Sequence, residues 1–296
     1  MSPERFLCTA AARRRDDPLV GTVPVTRRWL LIEHPGSWQH DALGGMGLPP
    51  AVLGAVVAAI QGQGARALLV RRPGRQPSGP DRAWGVLDQV DGGERWGRWR
   101  HAEDLLAAAE VLAHSDALPT ASAQTLLVCT HGRHDTCCAI WGRPVAAALA
   151  QHWPQQTWEC SHLGGDRFAA SLLVAPDGLY YGHLDPLAAV DVVAAHLRGE
   201  VDPTYLRGST AVAPVVQAAV VAAHRARGPA PARGFWPVDL SPDGDECWRV
   251  RLGAEDGRGE LDVRVRRSRQ EPAQLTCGAL GASRAAVYST ELLTPG

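Results

Sequence analysis

The chain has 296 residues and a formal net charge of -1, with 45% hydrophobic and 21% charged residues. At roughly 150 residues per domain, this length predicts two or three compact units. The composition excludes a mostly disordered, collagen-like or fibrous protein. The basic residues are all arginine and are offset by acidic residues, 30 against 31, so nucleic acid is not an expected partner.

The sequence predicts neither a membrane span nor a secretion signal. No apolar run approaches the roughly 18 residues of a bilayer-spanning helix. The N-terminus lacks the basic, apolar and small-residue order of a signal peptide. We therefore expect a cytoplasmic protein with no membrane partner. In a reducing compartment, grouped cysteines more often bind metal or carry redox chemistry than form disulfides, and three of the seven lie within ten residues.

Residues 1–120 have the pattern of an α/β unit. Short apolar runs predict strands, and apolar residues at helical spacing predict helices. The predicted strands are 28–33, 67–70 and 84–87, and the predicted helices are 51–61 and 102–113. The following segment is rich in Ser, Asp, Pro and Thr, which indicates a boundary before the next unit.

Residues 121–207 form a second predicted unit with the order β-α-β-β-β-α. Its first strand, 126–128, runs into Cys129, and we expect the residues up to Cys138 to form a loop. A Pro-Asp-Gly turn joins the last two strands as a hairpin. The later elements are strands 157–160, 171–174 and 179–181 and helices 144–151 and 187–197.

Residues 208–296 differ in character from the two units before them. We predict a helix over 214–227, a Gly/Pro-rich linker and a small antiparallel β unit. Two segments, 248–252 and 261–265, alternate apolar with polar residues, as half-exposed antiparallel strands do. The sequence leaves open whether the first unit is an interaction surface or a degenerate copy of the second.

Cysteine spacing in the second unit indicates a metal centre. Cys129 and Cys138 are separated by eight residues, too many for the CxxC turn of a dithiol oxidoreductase. Cys137 and Cys138 are adjacent, so their side chains should diverge, and we expect only Cys138 to face a shared centre. We interpret Cys137 as a buried spectator, in preference to a resolving thiol or an alternative ligand.

A second group follows within the same unit. Cys160, His162 and Asp166 supply a thiol, an imidazole and a carboxylate around a glycine pair. Glycines allow a backbone to approach an inorganic centre closely. Soft thiolates combined with imidazole suit iron-sulfur clusters, zinc or copper, and suit magnesium or calcium poorly. The three other cysteines stand alone in the sequence and receive no predicted role: Cys8, Cys247 and Cys277.

Two sequence blocks carry a resemblance to a known family. CTHGRHDTCCA at 129–139 and WECSHLGGDRFAASLLVAPDGLYYG at 158–182 resemble the signature blocks of the sucrase/ferredoxin-like family. The segment 8–36 is also similar, and the resemblance covers roughly residues 6–207. It implies a thioredoxin-like ferredoxin domain that carries a 2Fe-2S cluster.

The resemblance also implies ligands. Cys129 and Cys138 match the two thiolates, and His162 matches the first histidine of an HxxxH pattern. The chain departs from that pattern, because Asp166 stands where the second histidine would be. The fourth ligand is therefore open between Asp166 and Cys160, of which the thiol is the softer.

The leading hypothesis is an α/β electron-transfer protein with one 2Fe-2S cluster and an unknown redox partner protein. One alternative is a structural zinc module that uses Cys129, Cys138, Cys160 and His162. Another is a metal-free thiol oxidoreductase that uses Cys137 and Cys138, although adjacent cysteines form strained bridges. Sugar hydrolysis is unsupported, because it requires paired carboxylates and the sequence has no such motif. Whether the protein is an enzyme stays open.

Overall fold

Apolar strands and helices built from small residues alternate along most of the chain. The computed structural model describes residues 6–74, 79–114, 118–255 and 259–293. Its α-helices are α1 (Cys8–Arg14), α2 (Pro50–Gly62), α3 (Leu105–Ala113), α4 (Thr136–His152), α5 (Pro186–Leu197) and α6 (Pro214–Arg227). None of the helices in these ranges is both long enough and apolar enough to span a bilayer.

The strands form two sheets, which confirms the predicted α/β class. One sheet has nine strands in the order β4-β3-β1-β2-β6-β5-β7-β8-β9, and the other has four in the order β10-β11-β12-β13. The strands of the first sheet are β1 (Arg28–Glu33), β2 (Arg66–Arg71), β3 (Arg82–Asp88), β4 (Gly93–Trp99), β5 (Thr125–Cys129), β6 (Thr157–Cys160), β7 (Leu172–Ala175), β8 (Leu179–Tyr181) and β9 (Leu206–Ser209). Those of the second are β10 (Phe235–Pro242), β11 (Cys247–Ala254), β12 (Leu261–Arg269) and β13 (Ala286–Leu293).

Two halves of the large sheet repeat the same topology. In the first, β1 and β2 pair in parallel around α2, and β3 and β4 add antiparallel strands on the β1 side before α3. In the second, β5 and β6 pair in parallel around α4, and β7 and β8 extend the β5 side before α5. Parallel neighbours need such a crossover connection. The first unit is therefore a topological copy of the second.

The two halves meet edge to edge. Strands β2 and β6 pair antiparallel, with Val70 opposite Cys160 and Arg71 opposite Glu159. The backbone hydrogen bonds of one continuous sheet thus cross the predicted boundary near residue 120. The second group of candidate ligands begins at the end of β6, where the two halves pair.

Helix α4 starts earlier than predicted, and this corrects the assignment of Cys137 and Cys138 to a loop. The helix begins at Thr136, and the side chain of Asp135 caps it by accepting a hydrogen bond from the backbone N–H of Cys137 at 2.8 Å. Such a cap satisfies an amide that has no partner within the helix. Pro144, which we expected at the helix start, lies in its interior. The cap and the packing of α4 on β5 outweigh the cost of that proline.

The C-terminal sheet packs against the rest of the molecule through α6. Residues Val216 to His224 of that helix are buried, and the inward-facing apolar residues of β11 and β12 join the same core. The predicted helix and the two predicted strands are present, and β10 and β13 complete the antiparallel sheet. Alternating burial along β12 matches the period-two pattern of its sequence.

Candidate metal centre

The first arm of the site is the connection between β5 and α4. Cys129 ends β5, and Cys138 lies in the first turn of α4. Backbone hydrogen bonds hold the connection in place, from the N–H of Cys129 to the carbonyl of Ser171 and from that of Thr130 to the carbonyl of Cys160, each at 3.1 Å. Both thiols are 2% exposed. They therefore face the protein interior.

The second arm is the loop that follows β6. His162 and Asp166 flank Gly164 and Gly165, which both have positive φ values of 101° and 77°. A Cβ on Gly165 would lie 2.2 Å from a guanidinium nitrogen of Arg207, so this position requires glycine. The loop therefore lies directly on the Arg207 guanidinium.

The side chain of Arg207 holds the second arm in place. Its fully buried guanidinium donates hydrogen bonds to the carbonyl of Gly164 at 3.0 Å, to the carbonyl of Thr22 at 2.8 Å and to the hydroxyl of Ser171 at 3.3 Å. Burial lowers the pKa of Arg207 to about 10. The five N–H donors of a planar guanidinium suit this bridging of separate segments better than a lysine would.

The two arms bring four donor groups together: two thiols, an imidazole and a carboxylate. The sulfurs of Cys129 and Cys138 and a ring nitrogen of His162 all lie within 4.8 Å of one another. Oδ1 of Asp166 is 3.3 Å from Sγ of Cys138 and 2.9 Å from Nδ1 of His162. His162 and Asp166 therefore form an imidazole–carboxylate pair beside the two thiols. Two buried thiols, an imidazole and a carboxylate that converge in this way fit a metal or a small cluster.

The charges of the site are coupled. A hydrogen bond from Cys138 lowers the pKa of Cys129 to about 6, and contact with that thiolate raises the pKa of Cys138. Burial opposes protonation of His162, but Asp166 and Cys129 outweigh it and raise its pKa to about 9. Burial likewise opposes ionisation of Asp166, yet His162 holds its pKa below the usual range. These shifts favour a thiolate at Cys129, a carboxylate at Asp166 and a protonated ring at His162.

A loop from the first unit covers the exposed edge of the site. The His134 ring stacks on His162 with centroids 3.7 Å apart, and His40 stacks on His134 at 4.6 Å. Nε2 of His131 lies 2.7 Å from the carbonyl of Gln39. The His162 side chain keeps 25% of its surface exposed. The imidazole edge, rather than the thiols, is the part of the centre that faces solvent.

Of the five predicted site residues, the structure brings four together. They are Cys129, Cys138, His162 and Asp166. Cys160 pairs with Cys129 across the parallel strands and is fully buried, but it belongs to none of the ligand groups found among the described residues. Burial raises the pKa of its thiol well above the usual value. The ligand roles themselves stay predictions.

Residues 19–208 match a family profile described as sucrase/ferredoxin-like. This is about two thirds of the chain and includes every predicted site residue. The chain belongs to the sucrase/ferredoxin-like family. Searches of the curated proteins and of the solved structures returned no match.

The family match leaves out two cysteines that sequence reasoning also missed. Cys8 and Cys277 lie outside residues 19–208 and form a second group with Cys137 and Asp135. These residues are too far apart in the chain to form a local sequence motif. Cys8 and Cys277 are separated by 269 residues, and Cys137 and Cys277 by 140. The odd number of cysteines and their frequency were the only hints in the sequence.

Proposed function

We propose that this member of the sucrase/ferredoxin-like family is a redox protein that holds a 2Fe-2S cluster through Cys129, Cys138, His162 and Asp166. The convergence of two buried thiols, an imidazole nitrogen and a carboxylate from two separate segments of the chain carries the proposal. It favours Asp166 over Cys160 as the fourth ligand, because the Asp166 carboxylate contacts both Cys138 and His162.

When bound, such a cluster supplies one-electron chemistry, and replacing a thiolate ligand by imidazole raises its reduction potential. The chain supports this use in two ways. The thiols are shielded from water, which limits their oxidation and exchange with other metals. His162 reaches the surface, so we place the docking site of a redox partner protein over His162, His134 and His40. The reducing cytoplasm is the proposed location.

A structural zinc ion is the second candidate, because thiolate, imidazole and carboxylate also suit tetrahedral zinc. The metal-free oxidoreductase has weaker support. Sγ of Cys138 points to Asp166 at 3.3 Å, whereas Sγ of Cys137 lies 3.5 Å from Sγ of Cys277. The adjacent thiols thus serve different groups and are not arranged as a dithiol pair.

Anaerobic purification tests the proposal. We expect a reddish-brown protein with about two iron and two acid-labile sulfide per chain. Cys129→Ser and Cys138→Ser should each remove most of the visible absorption. Cys247→Ser is the matched control, since Cys247 is a buried cysteine in β11 that belongs to neither ligand group. A colourless protein with zinc bound at Cys129 and Cys138 would instead establish the structural module.

A further inference from the structure

Three cysteines and one carboxylate converge on the far side of the first turn of α4. Cys8 is the first residue of α1, Cys137 belongs to α4, and Cys277 lies between β12 and β13. Sγ of Cys277 is 3.5 Å from Sγ of Cys137 and 3.6 Å from Sγ of Cys8. Both carboxylate oxygens of Asp135 lie 3.6 Å from Sγ of Cys8. One donor atom from each of the four residues falls within 4.8 Å of the others.

These separations match the edges of a tetrahedral metal site. With Zn–S bonds of ~2.3 Å and Zn–O bonds of ~2.0 Å, tetrahedral angles place two sulfurs ~3.8 Å apart and a sulfur and an oxygen ~3.5 Å apart. The observed distances of 3.5 and 3.6 Å fall close to these values. A disulfide needs a much shorter separation, ~2.05 Å.

Asp135 is positioned but lacks a cationic partner. Its Oδ1 accepts a hydrogen bond from the N–H of Cys137 at 2.8 Å, and its Oδ2 accepts one from the N–H of Cys277 at 2.7 Å. The residue is 2% exposed, and no basic side chain of the described ranges lies within 4 Å of its carboxylate. Two amides and the N-terminus of α4 stabilise this carboxylate, and Sγ of Cys8 lies beside both of its oxygens.

We propose that Cys8, Cys137, Cys277 and Asp135 form a second metal centre, a Cys3Asp site that binds one Zn²⁺. Zinc binding displaces the protons of the ligating thiols to solvent, and the ion takes three sulfurs and one carboxylate oxygen. Cys8 and Cys137 are fully buried and Cys277 is partly exposed. Four protein ligands leave no open coordination position, so the site would be structural rather than catalytic. The four donors of this site are separate from those of the first centre.

The second centre joins three distant parts of the chain. It would tie α1 and the segment between β12 and β13 to the helix turn that carries Cys138. A metal bound there would fix these contacts, and binding to the folded state alone stabilises that state. Removal of zinc should therefore lower the melting temperature of the whole protein. It should also make the position of Cys138 in the first centre less fixed.

X-ray absorption at the zinc edge of the purified wild-type protein tests the site directly. We expect about one zinc per chain, surrounded by three sulfurs at ~2.3 Å and one oxygen at ~2.0 Å. A shell of two sulfurs with an imidazole nitrogen would place the zinc in the first centre and overturn the proposal. So would an absence of zinc after growth with zinc supplied, or an intact mass two hydrogens lower, which indicates a disulfide.

Variants separate the two centres. Cys8→Ser and Cys277→Ser should each lose the zinc while the iron and sulfide content stays measurable, and Cys129→Ser should do the reverse. Asp135→Asn keeps a helix-capping side chain but should weaken zinc retention against a chelator at least tenfold. Cys247→Ser is the control and should retain both metals. Equal zinc in Cys8→Ser, Cys277→Ser and the control would refute the site, and the wild-type absorption spectrum decides the matter if the variants do not fold.

Discussion

Adjacent cysteines in this chain belong to two different ligand groups. Within the first turn of α4, Cys138 contacts Asp166 and Cys137 contacts Cys277. Successive residues of a helix point about 100° apart, so neighbouring thiols face separate sides. The pair diverges as predicted, and Cys137 is buried as predicted, with its thiol beside that of Cys277.

Single substitutions can identify the fourth ligand of the first centre. We expect Asp166→Ala to change the electron-paramagnetic signature of the centre and to lower its metal content at least tenfold, because Asp166 contacts both Cys138 and His162. Cys160→Ala is the comparison and should mainly cost stability, about 1–3 kcal/mol for a buried side chain made smaller. An altered signature in Cys160→Ala alone would make Cys160 the ligand.

Helix α4 positions Cys138 through close contact with β5. A Cβ on Gly142 would lie 2.0 Å from the carbonyl oxygen of Cys129, so the helix and the strand touch through backbone. Cys129 is itself a predicted ligand. The distance between the two thiols of the centre therefore depends on how closely this helix and this strand approach.

Gly142→Ala should destabilise the protein, although alanine is the better helix former. Helix propensity alone favours alanine by about 1 kcal/mol, but the backbone contact forces α4 away from β5, and overpacking costs about 1–3 kcal/mol or more. Gly54→Ala in α2 is the matched control, since a Cβ there meets nothing within 4 Å, and it should stabilise by about 0.5–1 kcal/mol. Urea denaturation measures both. A stabilised Gly142→Ala protein would contradict the proposed contact.

Helix α6 lies between the two sheets and packs against both. Its His224 is 1% exposed, packs edge-on against Phe235 of β10, and has no hydrogen-bond partner for either ring nitrogen among the described residues. Burial lowers the pKa of His224 to about 4. The folded protein therefore holds a neutral imidazole at the junction of its parts.

This histidine makes stability depend on pH. Between pH 6.5 and 4 the unfolded chain binds a proton at His224 that the folded protein does not, so the free energy of unfolding falls as pH falls. The loss reaches about 3 kcal/mol near pH 4 for this pKa difference. His224→Leu should remove that part of the slope, as measured by urea denaturation at several pH values, with exposed His114→Leu as the control. Identical slopes in wild type and His224→Leu would contradict this assignment.

Local patterns determined the class of the protein and most of its elements. Apolar runs located β1, β2, β3, β5 and β6, because buried strands need them, and the two signature blocks located the family and the first centre. Elements without a strong local pattern were missed. They are the seven-residue α1, the Arg/Trp-rich edge strand β4, the short β9, and β10 and β13.

The sequence by itself determined which residues could bind a soft metal, because thiols and imidazole have that chemistry wherever they lie. Only the tertiary structure decided which of them meet. Pairing of β5 with β6 set the two arms of the first centre side by side. Packing of α1 and of the segment between β12 and β13 against the start of α4 brought Cys8 and Cys277 to Cys137. The pairing of the two sheet halves could not be predicted either. Both sets of contacts join residues that are far apart in the chain, and such contacts leave no periodic pattern in the sequence.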